Sequence, residues 1–129
     1  MTIKNKIVSI VDDESSTANL FYNALKAING IKIFKFTDPI KALEHLKMNK
    51  EDYAAMISDL RMPVINGVQL LKTVKDLNPI TRTILITAYY LDDNLLQEYI
   101  KKEIINSFIQ KPIGVDQLRL LVSNQICSV

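Results

Sequence analysis

Five polar side chains stand where apolar runs of the sequence end. Asp12 and Asp13 follow the first run, Asp59 follows a later one, and Thr87 and Lys111 follow two more. In open α/β sheets, ligands and chemistry collect at the carboxyl ends of the strands. If these residues meet, they supply a carboxylate nucleophile, two further acids, a hydroxyl and an ammonium. Those are the groups that phosphoryl transfer needs.

The acids also predict a metal site. Taken alone, Asp12–Asp13–Glu14 is better explained as a solvated loop that helps to start a helix, because acids are favoured near helix N-termini. With Asp59 at another strand end, the carboxylates could converge on one point. Neither cysteine nor histidine stands near them in the sequence. An all-oxygen ligand set favours a hard cation, Mg²⁺ above all, over zinc.

Thr87 and Lys111 also have ordinary explanations. A threonine at a strand exit commonly bonds to local backbone, and a lysine at a strand end is commonly solvated. Pro112 sets this lysine apart, because the residue before a proline is conformationally restricted and the bond between them can be cis.

The elements that would position these residues alternate along the chain. Helical periodicity separates the apolar runs, and Asp38–Pro39 has the form of a helix start. Such alternation predicts a doubly wound, five-stranded parallel sheet with five helices. The predicted strands are Lys6–Val11, Lys32–Phe36, Tyr53–Ser58, Thr83–Ile86 and Ser107–Gln110.

Length and composition indicate one ordinary globular domain over residues 1–129. Apolar residues make up 48% and charged residues 23%, and 16 basic against 14 acidic side chains leave too little charge to favour nucleic acid or an anionic membrane. Cys127 has no second cysteine to pair with, and no apolar run approaches transmembrane length. We therefore expect a cytoplasmic protein that contacts neither membrane nor nucleic acid.

The sequence resembles the receiver domains of two-component response regulators. The resemblance covers the whole chain and implies a flavodoxin-like sheet of order 2-1-3-4-5. No motif is specific alone, but their order and spacing fit the family. The matching motifs are Asp12–Asp13, Ser58-Asp59-Leu60-Arg61-Met62-Pro63 with Gly67, Thr87–Ala88 and Lys111–Pro112.

The resemblance implies a role for each site residue. Asp59 would accept a phosphoryl group from a histidine of a sensor kinase or of a histidine phosphotransfer protein. Asp12 and Asp13 would hold Mg²⁺ together with Asp59 and the backbone carbonyl of Arg61. No dedicated enzyme is expected beyond the chain's own phosphotransfer onto Asp59 and autodephosphorylation.

Further positions would transmit or time the signal. The resemblance implies that Thr87 and Lys111 contact the phosphoryl oxygens and that Phe108 rotates inward in the active state. An ordinary core aromatic is the equal alternative for Phe108. Arg61 and Tyr89 would be gatekeepers of the attacking water, and their size predicts a long-lived phosphorylated form.

The resemblance also implies an output protein or domain, although none is expected within residues 1–129. It implies a homodimer through the fourth helix, fifth strand and fifth helix. The segment Glu103–Asn106 lacks the small and acidic residues common in the transcription-factor branch, which disfavours that branch's charge-paired dimer. His45, the one histidine, is expected to be a surface residue rather than a phosphorylated one.

Three rival functions share the predicted architecture. An aspartyl-phosphate phosphatase usually has a second acid two residues after its nucleophile, where this chain has Arg61. A flavodoxin-like electron carrier needs a hydroxyl- and glycine-rich loop where this chain has Asp12–Asp13–Glu14. A degenerate receiver that binds partners without phosphorylation is disfavoured because every acceptor-site residue type is present.

Overall fold

Strands and helices alternate along the chain in this computed structural model, which describes residues 6–88 and 92–127. A short 3-10 helix, Lys50–Asp52, precedes the third strand. The strands are β1 Lys6–Val11, β2 Ile31–Phe36, β3 Tyr53–Asp59, β4 Arg82–Thr87 and β5 Ser107–Gln110. The helices are α1 Ser15–Leu25, α2 Pro39–Met48, α3 Gly67–Leu77, α4 Asp93–Lys101 and α5 Val115–Cys127. Within the described residues, no helix is long and apolar enough to span a membrane.

The strands form one parallel sheet in the order β2-β1-β3-β4-β5. This order confirms the predicted fold. Because all strands run the same way, their carboxyl ends share one edge of the sheet. Val11 is paired with Ser58 in adjacent central strands, so the acids that follow β1 lie next to the acid that ends β3.

The central strands are buried on both faces, which explains why their sequences are almost continuously apolar. In β1, Val8 and Ile10 face the layer formed with α1 and α5. Ile7 and Val11 face the layer formed with α2 and α3. Strand residues that differ by one position therefore belong to different layers of the core.

Three of the described helices begin at side-chain caps: α2 at Asp38, α3 at Asn66 and α4 at Asp92. Asp38 accepts a hydrogen bond from the Ile40 N–H at the start of α2, as the Asp38–Pro39 pair predicted. At the start of α3, Asn66 accepts from the Gln69 N–H at 2.9 Å, and the Gln69 side chain accepts from the Asn66 N–H at 2.8 Å. This capping box anchors α3 directly after the Asp59 loop.

The register of β5 is set at its start by a reciprocal contact between two polar residues. The Thr83 N–H donates to Oδ1 of Asn106 at 2.9 Å, and the Asn106 N–H donates to the Thr83 carbonyl at 2.8 Å. The Thr83 hydroxyl donates to the Ile104 carbonyl at 2.6 Å. These bonds fix the entry of β5, whose described neighbour in the sheet is β4.

The prediction that His45 is a surface residue is wrong. Its ring is half-buried between Phe34 and Phe36 of β2, at centroid distances of 4.4 and 5.3 Å. Its Nδ1 is hydrogen-bonded to the Tyr53 hydroxyl at 2.7 Å, and that hydroxyl is hydrogen-bonded to buried Ser9. The imidazole is partly buried because it packs against the two phenylalanine rings and because the Tyr53 hydroxyl satisfies its Nδ1 there. Burial lowers the pKa of His45 from its ordinary value of 6.5.

Candidate functional site

The acids after β1 and β3 meet at the carboxyl edge of the sheet. Asp12 is nearly fully buried, its N–H donates to the Phe36 carbonyl at 3.0 Å, and its Oδ1 accepts from the Glu14 N–H at 2.9 Å. These bonds hold the Asp12 carboxylate in place and leave Oδ2 toward the site. Asp13 is exposed and Asp59 is half-buried.

Asp12, Asp13 and Asp59 form a compact donor set for a cation. One carboxylate oxygen from each lies within 4.8 Å of the others. Three anionic oxygens at such separations fit a hard divalent cation. The structure thus brings together the three side chains predicted to hold Mg²⁺.

The ammonium of Lys111 bridges two of these acids. Its Nζ lies 3.2 Å from Oδ1 of Asp59 and 3.3 Å from Oδ2 of Asp12, across the end of the sheet from β5. The Lys111–Pro112 bond is cis. This ion pair connects the predicted nucleophile to the predicted cationic residue.

The charges in this cluster shift the pKa values of two groups. Burial raises the pKa of Asp59, the Lys111 ammonium opposes that rise, and Asp12 and Asp13 add to it. Burial acts to lower the pKa of Lys111, but the carboxylates of Asp12 and Asp59 outweigh it, so the pKa of Lys111 is raised. The ammonium therefore stays charged and acts as the counter-ion of the acids.

The loop after Asp59 is closed by Gly67. The Gly67 N–H donates to the Leu60 carbonyl at 2.7 Å. A Cβ on Gly67 would lie 2.2 Å from the Asp59 carbonyl oxygen and 2.9 Å from Leu85 Cδ1. In the sequence, Asn66–Gly67 is a turn signal and Gly67 is part of the motif that carries the family resemblance. The structure adds that two backbones approach here so closely that only glycine fits.

Thr87 lies at the end of β4 and is fully buried. Its carbonyl accepts two hydrogen bonds from the end of β5: the Lys111 N–H donates at 2.8 Å and the Gln110 side-chain amide donates at 3.1 Å. Phe108 is half-buried and packs against the α2–α3 layer. Thr87 and Phe108 thus occupy the β4–β5 side of the site, and their switch roles stay predictions.

Of the two predicted gatekeepers, Arg61 and Tyr89, the structure describes Arg61. Arg61 is exposed in the loop after β3. Tyr89 lies outside the described residues, so the predicted shielding by these two side chains stays a prediction.

Sequence reasoning missed one neighbour of the site. The Phe21 ring of α1 lies under the Lys111 ammonium, with Nζ 5.9 Å from the ring centroid. The helical spacing of Ala18, Phe21, Leu25 and Ile28 predicts only that Phe21 lies on the buried face of its helix. No signal in the sequence connects it to a lysine at the end of β5.

Comparison with known proteins identifies the family of the chain. The response regulator receiver domain family matches residues 8–123. The DNA-binding transcriptional regulator NtrC of Escherichia coli (strain K12) is 31% identical over 120 residues, which are 93% of this chain and 24% of that protein. The sporulation initiation phosphotransferase F of Bacillus subtilis (strain 168) is 26% identical over 115 residues, 89% of each chain.

A solved structure agrees with the fold. The signal receiver domain of a putative LuxO repressor protein from Vibrio parahaemolyticus superposes with a TM-score of 0.83 at 23% identity, covering 96% of this chain and 92% of that one. The present chain spans about a quarter of the length of NtrC. Receiver domains generally use Mg²⁺ at an acidic pocket, and they interact with histidine kinases and output domains. With its fold, its acidic pocket and this match, the chain belongs to the response regulator receiver domain family, whose members are phosphorylation-dependent switches.

Proposed function

We propose that this chain accepts a phosphoryl group on Asp59 and that the resulting aspartyl phosphate switches its β4–α4 and β5 surface. The observation that carries the proposal is the contact between the Lys111 ammonium and Oδ1 of Asp59 at 3.2 Å. The contact places the positive charge of Lys111 beside Asp59, which ends the central strand β3 and is half-buried.

The transfer step needs a nucleophile and a cation. An oxygen of Asp59 attacks the phosphorus, an O–P bond forms, and the bond from phosphorus to the donor's leaving atom breaks with its electron pair. Lys111 then turns from the carboxylate to an equatorial phosphoryl oxygen. Thr87, at the adjacent strand end, would offer its hydroxyl to another oxygen after a movement of the β4–α4 connection.

The residues that would hold Mg²⁺ are Asp12, Asp13 and Asp59, with the Arg61 backbone carbonyl as a fourth donor. The separation of the three carboxylates, at most 4.8 Å between donor oxygens, supports this assignment. A bound Mg²⁺ would neutralise charge on the phosphoryl oxygens during transfer. Asp12 is held by its backbone contacts, so that part of the site is preorganised.

The donor in the cell is proposed to be a phosphohistidine of a sensor kinase or of a histidine phosphotransfer protein. The recipient of the signal is proposed to be an output protein or domain. We propose that residues 1–129 form a single receiver domain. The match over 89% of this chain and 89% of the Bacillus subtilis phosphotransferase supports this proposal.

A second copy of the chain is proposed to bind at α4, β5 and α5 after phosphorylation. None of the described side chains of α4 is buried, and Leu95 and Ile100 on it are each more than one-third exposed. Leu120 of α5 is 63% exposed. Light scattering with and without acetyl phosphate tests this: an unchanged monomer mass in both states would contradict it.

Labelling with acetyl phosphate tests the central proposal. In the presence of Mg²⁺, intact mass should rise by one phosphoryl group in the wild type and in Asp76→Asn, an exposed acid of α3. Asp59→Asn should show no such rise. Equal labelling of Asp59→Asn, or no labelling of the wild type in any Mg²⁺ concentration, would refute the assignment.

A further inference from the structure

Lys111 has a long, flexible side chain, yet its ammonium must occupy one position to meet a phosphoryl group. An ammonium has three N–H donors, and the contacts with Asp12 and Asp59 use two of them. Both contacts, at 3.3 and 3.2 Å, are long for charged hydrogen bonds. The two acids alone therefore hold the ammonium loosely.

A third contact comes from α1. The Lys111 Nζ lies over the Phe21 ring, 5.9 Å from its centroid, which is within the range of cation–π attraction. Only 6% of Phe21 is exposed, and its neighbours in the α1–α5 layer include Ala18 and Leu25. The ring is therefore immobilised by the core, and it presents a negative face to the ammonium.

We infer that Phe21 is a positioning residue for Lys111: its ring face supports the ammonium from the core side and keeps it directed at Asp59. The inference rests on the proposed function, because the position that matters is the one where a phosphoryl group on Asp59 would meet the ammonium. A leucine or methionine at this position would fill similar space but would lack the quadrupole of the ring.

The inference predicts three results for Phe21→Leu. The ε-methylene protons of Lys111, shielded by the ring in the wild type, should shift downfield in NMR spectra of the ¹³C-lysine-labelled protein. Phosphorylation by acetyl phosphate should slow about threefold, which corresponds to the lower end of the range for cation–π contacts, as expected at a distance of 5.9 Å. The Mg²⁺ affinity should rise about twofold, because a looser ammonium neutralises Asp12 and Asp59 less.

Matched variants separate positioning from packing. Phe21→Tyr keeps the ring and should retain the wild-type shift and rate. Tyr22→Leu removes a neighbouring ring of α1 whose centroid lies 4.7 Å from the Lys35 ammonium. This variant should change neither the Lys111 chemical shift nor the phosphorylation rate. Phe21→Met replaces Phe21→Leu if the leucine variant has a strongly lowered melting temperature.

Two outcomes overturn the inference. One is an unchanged Lys111 resonance in Phe21→Leu and Phe21→Met. The other is a weakening of Mg²⁺ binding along with the rate, which is what a general disturbance of the site would produce. If the wild type accepts no phosphoryl group, the proposed function fails, whereas the Mg²⁺ affinity of Phe21→Leu still decides whether Phe21 positions the ammonium.

Discussion

The α-carbon of Gly67 approaches the backbone of Asp59 so closely that a Cβ there would stand 2.2 Å from the Asp59 carbonyl oxygen. The first residue of α3 and the last residue of β3 are therefore in direct contact. The position of Asp59, the proposed nucleophile, therefore depends on residue 67 being a glycine.

Gly67→Ala should destabilise the protein by about 1–3 kcal/mol, the usual cost of forcing an extra carbon into a packed site. The carbonyl of Asp59 must move to make room, so labelling by acetyl phosphate should also slow. Urea unfolding and the labelling rate measure the two effects. Gly114→Ala is the control, because its new Cβ would meet nothing closer than Gln117 Oε1 at 3.6 Å. Equal stability of the two variants would contradict the argument.

Lys111→Met should bind Mg²⁺ about tenfold more tightly than the wild type and accept phosphate more slowly. The ammonium and the metal neutralise the same carboxylates, Asp12 and Asp59, so they compete electrostatically. The same change should raise the pKa of Asp59 further, because burial already raises it and the ammonium opposes that rise. Calorimetric Mg²⁺ titration measures the first effect and a ¹³C NMR titration the second. Lys102→Met, on the exposed end of α4, should leave both unchanged.

Thr87→Ala should still be labelled on Asp59 but should transmit less of the change to α4. Thr87 is the last residue of β4 and is fully buried, so we expect its hydroxyl to be the contact through which β4 responds to a phosphoryl group. Amide chemical-shift changes over residues 92–102, with and without acetyl phosphate, give the comparison. Thr73→Ala, at a partly exposed position of α3 away from the acids, serves as control. If phosphorylation changed the amide chemical shifts of Thr87→Ala as much as those of the wild type, Thr87 would be excluded as the switch contact.

Acid should destabilise the wild type more than it destabilises His45→Asn. Burial lowers the pKa of His45 in the folded protein below its ordinary 6.5, so the unfolded chain binds the proton more readily. The contribution of the neutral ring is complete above pH 6.5 and is lost as the pH falls from there to the lowered folded-state value. The check is the difference in free energy of unfolding between pH 7.5 and pH 5.5. Equal differences for the two proteins would show that the histidine is not the titrating group.

The strand ends were predictable because they follow local rules. Five apolar runs, each closed by a polar residue or a proline, are visible in the sequence, and parallel alternation then brings their ends to one edge. Asp12, Asp59 and Lys111 could be assigned to one site on that basis. The residue types alone were sufficient to suggest the chemistry.

Contacts across the core were not predictable in the same way. Helical periodicity predicts that Phe21 is buried and that His45 is on the surface, and nothing in that periodicity says which partner a ring meets on another element. One weak signal did exist for the contact of His45. Ser9 is a polar residue in the middle of an apolar strand, and its buried hydroxyl needs a hydrogen-bond partner. That partner is the Tyr53 hydroxyl, to which His45 is also bonded.

The bonds between Thr83 and Asn106 keep Lys111 and Phe108 on their own sides of the sheet, because they fix the register of β5. They lie at the amino ends of β4 and β5, a full strand length from the acids. Because neighbouring residues of a strand face opposite ways, a slip of β5 by one residue would exchange the sides on which Phe108 and Lys111 lie. The ammonium would leave the acids and the aromatic ring would leave its layer together. The contact of Lys111 with Asp12 and Asp59 thus depends on the Asn106 side-chain amide at the opposite edge of the sheet.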